Sequence, residues 1–524
     1  MVAENERHPF HHTDARTDGS PAWNGRANTG EDDKSSDYTT VQESPDEKGD
    51  GTKKSFSFSA MSSRKKATFL LLAFANFAAC TCFSLLAPFF PAEAAEKDMP
   101  ASLIGLVFSC FELCMFTTSP IFGNYIGIIG PKSAFVSGQF LSGGCSILFG
   151  LLYMSPPGVP FIALCFAVSI VQALGASAYL TASFALIANE FPENVGTAFG
   201  ALETFTGLGY VVGPLLGGVL YEVGGFGTPF FIMGALLILC SAMNHFLLKT
   251  DDVGGVPRKR RGSMLRLLKS PLILVVCVCV VMNYYTFGFL NASLAIHLEQ
   301  FNLSAAVIGA LYMVMAAMYC IFSPFFGWLS DRTGIVYPYL IIGCIFNAAS
   351  LLILGPTPLL PFAHSELWLV VISLFMVGPA VGAAVIPAVK LLYAGARRLG
   401  FHDGLDLDGL VSGLLTSSLH FGTFLGPTIG SPVMQEFGFE WSASLNAAFC
   451  LFAASLLIVY IIVEKTCLHY DDDKKTSDVK TETTFLIDAS NGNDCSTDTS
   501  PLPQNEKSRA RVLKCCCCCC CCCC

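Results

Sequence analysis

Ser119-Pro120-Ile121-Phe122-Gly123, followed seven residues later by Gly130, recurs as Ser323-Pro324-Phe325-Phe326-Gly327 followed by Gly334, at an offset of 204. Gly209-Tyr210-Val211-Val212-Gly213-Pro214-Leu215-Leu216-Gly217 recurs as Gly422-Thr423-Phe424-Leu425-Gly426-Pro427-Thr428-Ile429-Gly430, at an offset of 213. Two matches in the same order mean that the chain is built from two related halves. Small residues every three or four positions let helices approach closely, and each proline bends its helix by removing a backbone hydrogen bond. Duplicated halves around a central site are the architecture of secondary transporters.

The composition names the solvent of those halves. The chain has 524 residues, of which 53% are hydrophobic and 14% charged, whereas a soluble domain carries about 25% charge. Residues 1–66 hold 22 of the 71 charged side chains and residues 464–524 hold 18, so the 397 residues between them hold only 31. A middle that is roughly 8% charged lacks the polar surface of a water-soluble body. Both tails are rich in Ser, Thr, Asp, Glu and Lys and are expected to be disordered. The first apolar run begins only near Thr68, too late for a secretory signal peptide.

A helix that crosses a bilayer needs about 20 mostly apolar residues. Such runs recur twelve times, near 69–90, 103–126, 134–154, 160–187, 196–221 and 229–248, then 271–294, 305–329, 336–354, 367–391, 409–434 and 442–463. The expected fold is an all-α membrane protein of twelve transmembrane helices in two pseudo-symmetric six-helix bundles. Its parts are a tail (1–66), an N-terminal bundle (67–248), a basic linker (249–270), a C-terminal bundle (271–463) and a second tail (464–524). Lys and Arg mark the cytosolic side: Arg64 to Lys66, Lys132, the linker cluster from Lys249 to Lys269, Arg332, Arg397 and Arg398 all fall on one side. Both termini are therefore expected in the cytosol. The sequon at Asn302 falls on the far side, and the terminal run Cys515–Cys524 reads either as a palmitoylation cluster or as low-complexity sequence.

Several function classes fall away. No Gly-x-x-x-x-Gly-Lys-Ser/Thr loop is present to bind ATP, so ATP-driven transport is not expected. The remaining cysteines, such as Cys80, Cys82, Cys277 and Cys279, lack metal-ligand spacing and read as small packing residues. No segment is a basic platform for nucleic acid. The reading is of a non-enzyme without cofactor or metal, working as a monomer in the lipid bilayer.

At this point the residues reach a family. Gly327-Trp328-Leu329-Ser330-Asp331-Arg332-Thr333-Gly334 resembles the loop signature between helices eight and nine of the major facilitator superfamily. Its first-half counterpart keeps Gly123 and Gly130 but has Gly127 where the aspartate would stand. Gly209 to Gly218, with Gly213-Pro214, is similar to the fifth-helix antiporter motif of the superfamily's proton-coupled drug and amine exporters. Ser84-Leu-Leu-Ala-Pro88-Phe-Phe-Pro91, Leu202-Glu203-Thr-Phe-Thr-Gly207-Leu-Gly209, Gly409-Leu-Val-Ser-Gly413-Leu and Gly438-Phe-Glu440-Trp441 resemble the vesicular amine transporter family, most closely its polyamine branch. The resemblance covers about residues 67–463. It implies proton-coupled antiport of organic cations, polyamines such as spermidine and spermine, into acidic vesicles by alternating access. It also implies a conformational role for Gly209, Gly213, Pro214, Gly217, Gly218, Gly327, Asp331, Arg332, Gly334, Gly426 and Pro427.

The candidate coupling residues come from the charge map. Among the acidic residues of the core only Glu112 and Glu203 lie clearly inside expected helices, and no Lys or Arg does so comparably; Lys390 is near the end of the tenth span. An intramembrane charge costs at least about 2.5 kcal/mol on insertion scales and marks substrate or proton paths. Acids without a base favour cation or proton handling over anion transport. A carboxyl out of water favours its neutral form, so it can trade a proton for an amine. His420, in the eleventh span, is a candidate proton relay. In the seventh span, Asn283, Tyr284, Tyr285 and Asn291 are candidate substrate contacts, the tyrosines through cation–π attraction worth about 2 kcal/mol when desolvated. Asn291 stands where the resemblance would put an acid, and the first helix lacks the aspartate of monoamine transporters, which argues against a monoamine. Two other readings stay open: a plasma-membrane drug or metabolite exporter, and a scaffold or receptor that uses the fold without transport.

Overall fold

Only a helix satisfies every backbone N–H and C=O of a single segment inside hydrocarbon. In the computed structural model of the chain, regular structure among the described residues (61–86, 90–248, 263–303, 305–356 and 366–491) is all helical. The N-terminal tail up to residue 60, most of the basic linker, Asn302's partner Ser304 and the poly-cysteine run lie outside those residues. The first half contains α1 (Ser63–Ser84), a short α2 (Phe90–Glu96), α3 (Ala101–Ile129), α4 (Pro131–Gly150), α5 (Val159–Glu190), α6 (Val195–Gly224) and α7 (Gly227–Leu247). After the single turn α8 (Met264–Leu267) come α9 (Pro271–Leu298), α10 (Ala305–Thr333), α11 (Tyr337–Leu354), α12 (Leu367–Val385), α13 (Ala388–Arg398), α14 (Leu405–Phe437) and α15 (Phe439–Asn491).

Twelve crossings map onto these helices, with α12 and α13 forming the tenth around a break at Ile386-Pro387. Eleven are long and apolar enough to be recognised as spans by themselves. The twelfth is α14, whose Gly, Ser and Thr residues lower its hydropathy. It needs no apolar jacket, because every residue from 407 to 419 is buried against protein. The first crossing stops at Ser84 rather than near residue 90, ahead of Pro88 and Pro91, which disfavour a continuous helix. The last helix continues past 463 to Asn491, since no glycine or proline interrupts it.

The repeated glycines build one ridge in each half. Gly209, Gly213 and Gly217 lie at helical spacing on α6 and press on α1: Thr81 O is 2.8 Å, and Leu85 O 2.6 Å, from where a Cβ at Gly213 or Gly217 would sit. Gly422, Gly426 and Gly430 press α14 onto α9 in the same manner. Gly218, in contrast, faces open space.

That difference is testable by thermal denaturation of the purified protein. Gly213→Ala overpacks the α1–α6 contact against backbone, and overpacking of this kind costs typically 1–3 kcal/mol, about that order here. Gly218→Ala meets nothing and replaces a poor helix former, so it is expected to be neutral or to gain up to about 1 kcal/mol.

Candidate functional site

The strip where the two halves meet is built twice. Thr204 Oγ1 on α6 donates to Cys320 O on α10 at 2.9 Å, and Ser417 Oγ on α14 donates to Phe116 O on α3 at 2.8 Å. Gly200 abuts Ser323 O on the first side of the interface, and Gly413 abuts Ser119 O on the second. Gly196 faces Gly327 as Gly409 faces Gly123. With the offsets of 213 for α6 to α14 and 204 for α3 to α10, each contact is the repeat counterpart of the other.

Next to this strip the repeat is broken, and it is broken by titratable residues. Glu203 corresponds to Thr416, Tyr319 to Met115, His420 to Gly207 and Glu112 to Ala316. Glu203 on α6 is 2% exposed and accepts a hydrogen bond from Tyr319 Oη on α10 at 3.0 Å. Tyr319 Oη is in turn 3.2 Å from Tyr284 Oη on α9. Across the other seam, Glu112 Oε2 on α3 lies 2.6 Å from His420 Nδ1 on α14. Each acid thus takes its partner from the opposite half. Glu203 and His420 are within electrostatic reach of each other, and Tyr284 is within reach of both acids. Thr416, the counterpart of Glu203, has a buried hydroxyl without a hydrogen-bond partner.

Burial sets the depth of the cluster. On α14 the sealed stretch 407–419 ends at His420, and on α6 the densely buried stretch 196–203 ends at Glu203. Beyond them the same helices carry exposed residues such as Leu208, Tyr210, Leu215 and Phe437. The acids therefore lie at the boundary between a sealed half and a looser half of the interface. Among the described residues, the buried ionisable groups are Glu112, Glu203, Asp408 and His297 apart from Cys and Tyr, and no Lys or Arg is buried.

Four of the seven candidate coupling residues converge here: Glu112, Glu203, His420 and Tyr284. Tyr285 and Asn283 do not. Tyr285 is 1% exposed, edge-on to Phe449 inside the second half. Asn283 donates to Cys279 O at 2.8 Å and accepts from Asn347 Nδ2 at 3.1 Å, also inside that half. Neighbouring residues on a helix point about 100° apart, so Tyr284 and Tyr285 cannot share a face. Asn291 is exposed, two turns beyond Tyr284. Tyr319 is the member that sequence reasoning missed; its only signal is its place one turn before the repeated Ser323-Pro324.

The sealed end is held by Asp331, which the loop signature singled out. Asp331 Oδ2 accepts from Thr197 N at 2.6 Å and from Thr197 Oγ1 at 2.8 Å, while Lys390 Nζ lies 3.2 Å from Oδ1. A carboxylate at the first turn of α6 also opposes the positive end of that helix. Arg332 stacks over Trp328 instead, 5.2 Å from its ring centre. Gly334 ends α10 in the left-handed region, φ 68°. On the first-half side, where that aspartate is missing, an acid reaches the position from across the interface. The carboxylate of Asp406, in the first turn of α14, occupies the space that a side chain on Gly127 would need. Asp408, beside it, accepts from Tyr393 Oη at 2.9 Å. The two sides of the sealed end therefore hold their acids on opposite helices.

The pattern of the Major Facilitator Superfamily matches residues 72–401 and 276–487. The chain is 37% identical over 393 residues to the MFS-type transporter SLC18B1 of Homo sapiens, covering 74% of this chain and 85% of that protein. It is 26% identical over 345 residues to the synaptic vesicular amine transporter of Mus musculus, covering 64% of this chain and 62% of that one. The crystal structure of the human organic anion transporter MFSD10 (TETRAN) superposes with a TM-score of 0.55 at 14% identity, over 75% of this chain and 99% of the other. That last likeness concerns the fold alone.

The relocation of the acid gives a swap test. Gly127→Asp, which restores the repeat, is expected to lower thermal stability because its carboxylate meets that of Asp406. Adding Asp406→Gly to it should recover most of the loss; if the pair is no better than the single variant, the two positions do not share one space.

Proposed function

We propose, on the premise that this chain belongs to the Major Facilitator Superfamily, that its transport is an exchange of protons for organic cations. The observation that carries this reading is the pair of buried carboxylates midway along the interface, with no buried Lys or Arg among the described residues to neutralise them. Carboxyls so placed can hold either protons or an ammonium group, and not both at once. Transport then follows from alternating access: the halves rock about the glycine-lined seam and expose the acids to one side and then the other.

The substrates we assign are polyamines such as spermidine and spermine, and the membrane that of an acidic vesicle. The support is the similarity to SLC18B1 and to the vesicular amine transporter, together with the buried phenols around Glu203. Absence of an aspartate in the first helix favours polyamines over monoamines. With the Asp331 end in the cytosol, as the positive loops favour, the sealed half is cytosolic and the looser half lumenal. Protons would leave the lumen as the amine enters.

Proteoliposomes with an acidic interior are expected to accumulate labelled spermidine and to lose it when the gradient is collapsed. Glu203→Gln keeps the shape but not the charge and should reduce uptake to background. Wild-type uptake that ignores the proton gradient would contradict exchange, and preference for a monoamine or an organic anion would contradict the substrate class.

A further inference from the structure

We propose that the exchange is divided between two places: the Glu203–Tyr319–Tyr284 cluster seats the substrate ammonium, and the Glu112–His420 pair carries the exchanged proton. This inference rests on the transport reading above and assigns the roles within that site.

The partners of the two acids differ in kind. Glu203 is met by phenols, which donate a hydrogen bond to a carboxylate but do not exchange protons near neutral pH, since a free tyrosine titrates at about 10. Phe287 lies edge-on to both phenol rings, 5.4 Å from Tyr284 and 5.6 Å from Tyr319. A carboxylate among aromatic rings is the chemistry that receives an ammonium. Glu112 is met by an imidazole, the side chain whose ordinary titration falls near neutral pH. With Nδ1 held against Glu112, Nε2 is the ring nitrogen left to take up and release the proton.

Depth separates the places as well. His420 stands four residues beyond Thr416, the repeat counterpart of Glu203, which is about 6 Å along a helix. That shift is toward the looser half. Exposure agrees: Glu112 is 7% exposed and His420 only partly buried, whereas Glu203 is 2% exposed. The proton pair is thus the outer one and the cation seat the inner one.

The coupling is a competition between two cations for two carboxylates. With His420 protonated, imidazolium and Glu112 neutralise each other and Glu203 is free to be protonated or empty of cation. With the looser half open, a proton taken up at Nε2 from its lumenal water raises the positive potential at Glu203 and expels the ammonium there; with the other side open, an ammonium arriving at Glu203 drives that proton to the cytosol, and one positive charge replaces another. The groups facing His420 are Glu112 on α3 and Glu203 on α6, and around those two acids stand Tyr210 on α6, Tyr284 on α9, Tyr319 on α10 and Cys80 on α1. From α5 comes Tyr179, which sits beside Tyr210. Within residues 388–398 and 439–466 the charged residues are Lys390, Arg397, Arg398, Glu440, Glu464 and Lys465. None of the others supplies a second base.

Two assays on proteoliposomes separate the roles, with labelled spermidine as the probe: accumulation driven by an acidic interior, and counterflow against unlabelled spermidine at equal pH. His420→Gln is expected to lose gradient-driven accumulation at least tenfold while counterflow falls by no more than about threefold, because cation binding at Glu203 persists. Glu203→Gln is expected to lose both. Glu112→Gln, which removes the counter-charge of the imidazolium, is expected to need a more acidic interior for half-maximal accumulation. A His420→Gln protein that still accumulates spermidine in response to the gradient overturns the proposal. So does one that loses counterflow as fully as Glu203→Gln, since His420 would then belong to the cation seat. Wild-type protein that performs neither reaction with any amine would instead remove the transport reading beneath it.

Discussion

Two carboxyl groups placed inside a bilayer cannot be left without partners. The cost of an isolated ionised carboxylate in a low-dielectric interior is several kcal/mol even after relaxation, on the order of the stability of a whole domain. Here both partners come from the opposite half: Tyr319 for Glu203 and His420 for Glu112. The polar contacts that make the acids tolerable are therefore the contacts that join the bundles. Anything that changes the charge at the acids, a proton or an ammonium, acts directly on the interface.

The rest of the architecture lets that interface separate cleanly. Repeated glycines bring α6 against α1 and α14 against α9, so each half is a tightly packed body. Between the halves, the repeat supplies small residues and paired hydroxyl-to-carbonyl bonds, Thr204 to Cys320 and Ser417 to Phe116, which are weak and matched on both sides. Stronger links stand where the repeat is violated. Asp331 ties α10 to the first turn of α6 and to Lys390, whereas on the other seam Asp406 already sits on α14 and meets Gly127.

Much of this was legible in the sequence because it is periodic or compositional. Twelve apolar runs, the glycine ridges and the outlying Glu112 and Glu203 follow from counting residues in a charge-poor core. The pairing of the acids was not legible. Glu112 and His420 are 308 positions apart, and Glu203 and Tyr319 are 116 apart, so only the fold brings them together. Tyr319 is hidden among the apolar residues of its span, and Tyr285 looked equivalent to Tyr284 although helix geometry turns it into the second half. Hydropathy alone likewise undervalues α14, because a helix enclosed by protein need not be apolar. Asp406 lay at the edge of a loop in the sequence, and only the fold brings its carboxylate to Gly127, where the loop aspartate is absent.

The proposed exchange accepts a cation at Glu203 as a proton is given up at His420. The most direct measurement is the number of protons released when purified protein binds spermidine in weakly buffered solution near neutral pH. Linkage between the two equilibria predicts release approaching about one proton per bound spermidine when the pair is protonated beforehand, falling as the starting pH rises. Saturating binding with no proton released at any pH would contradict it.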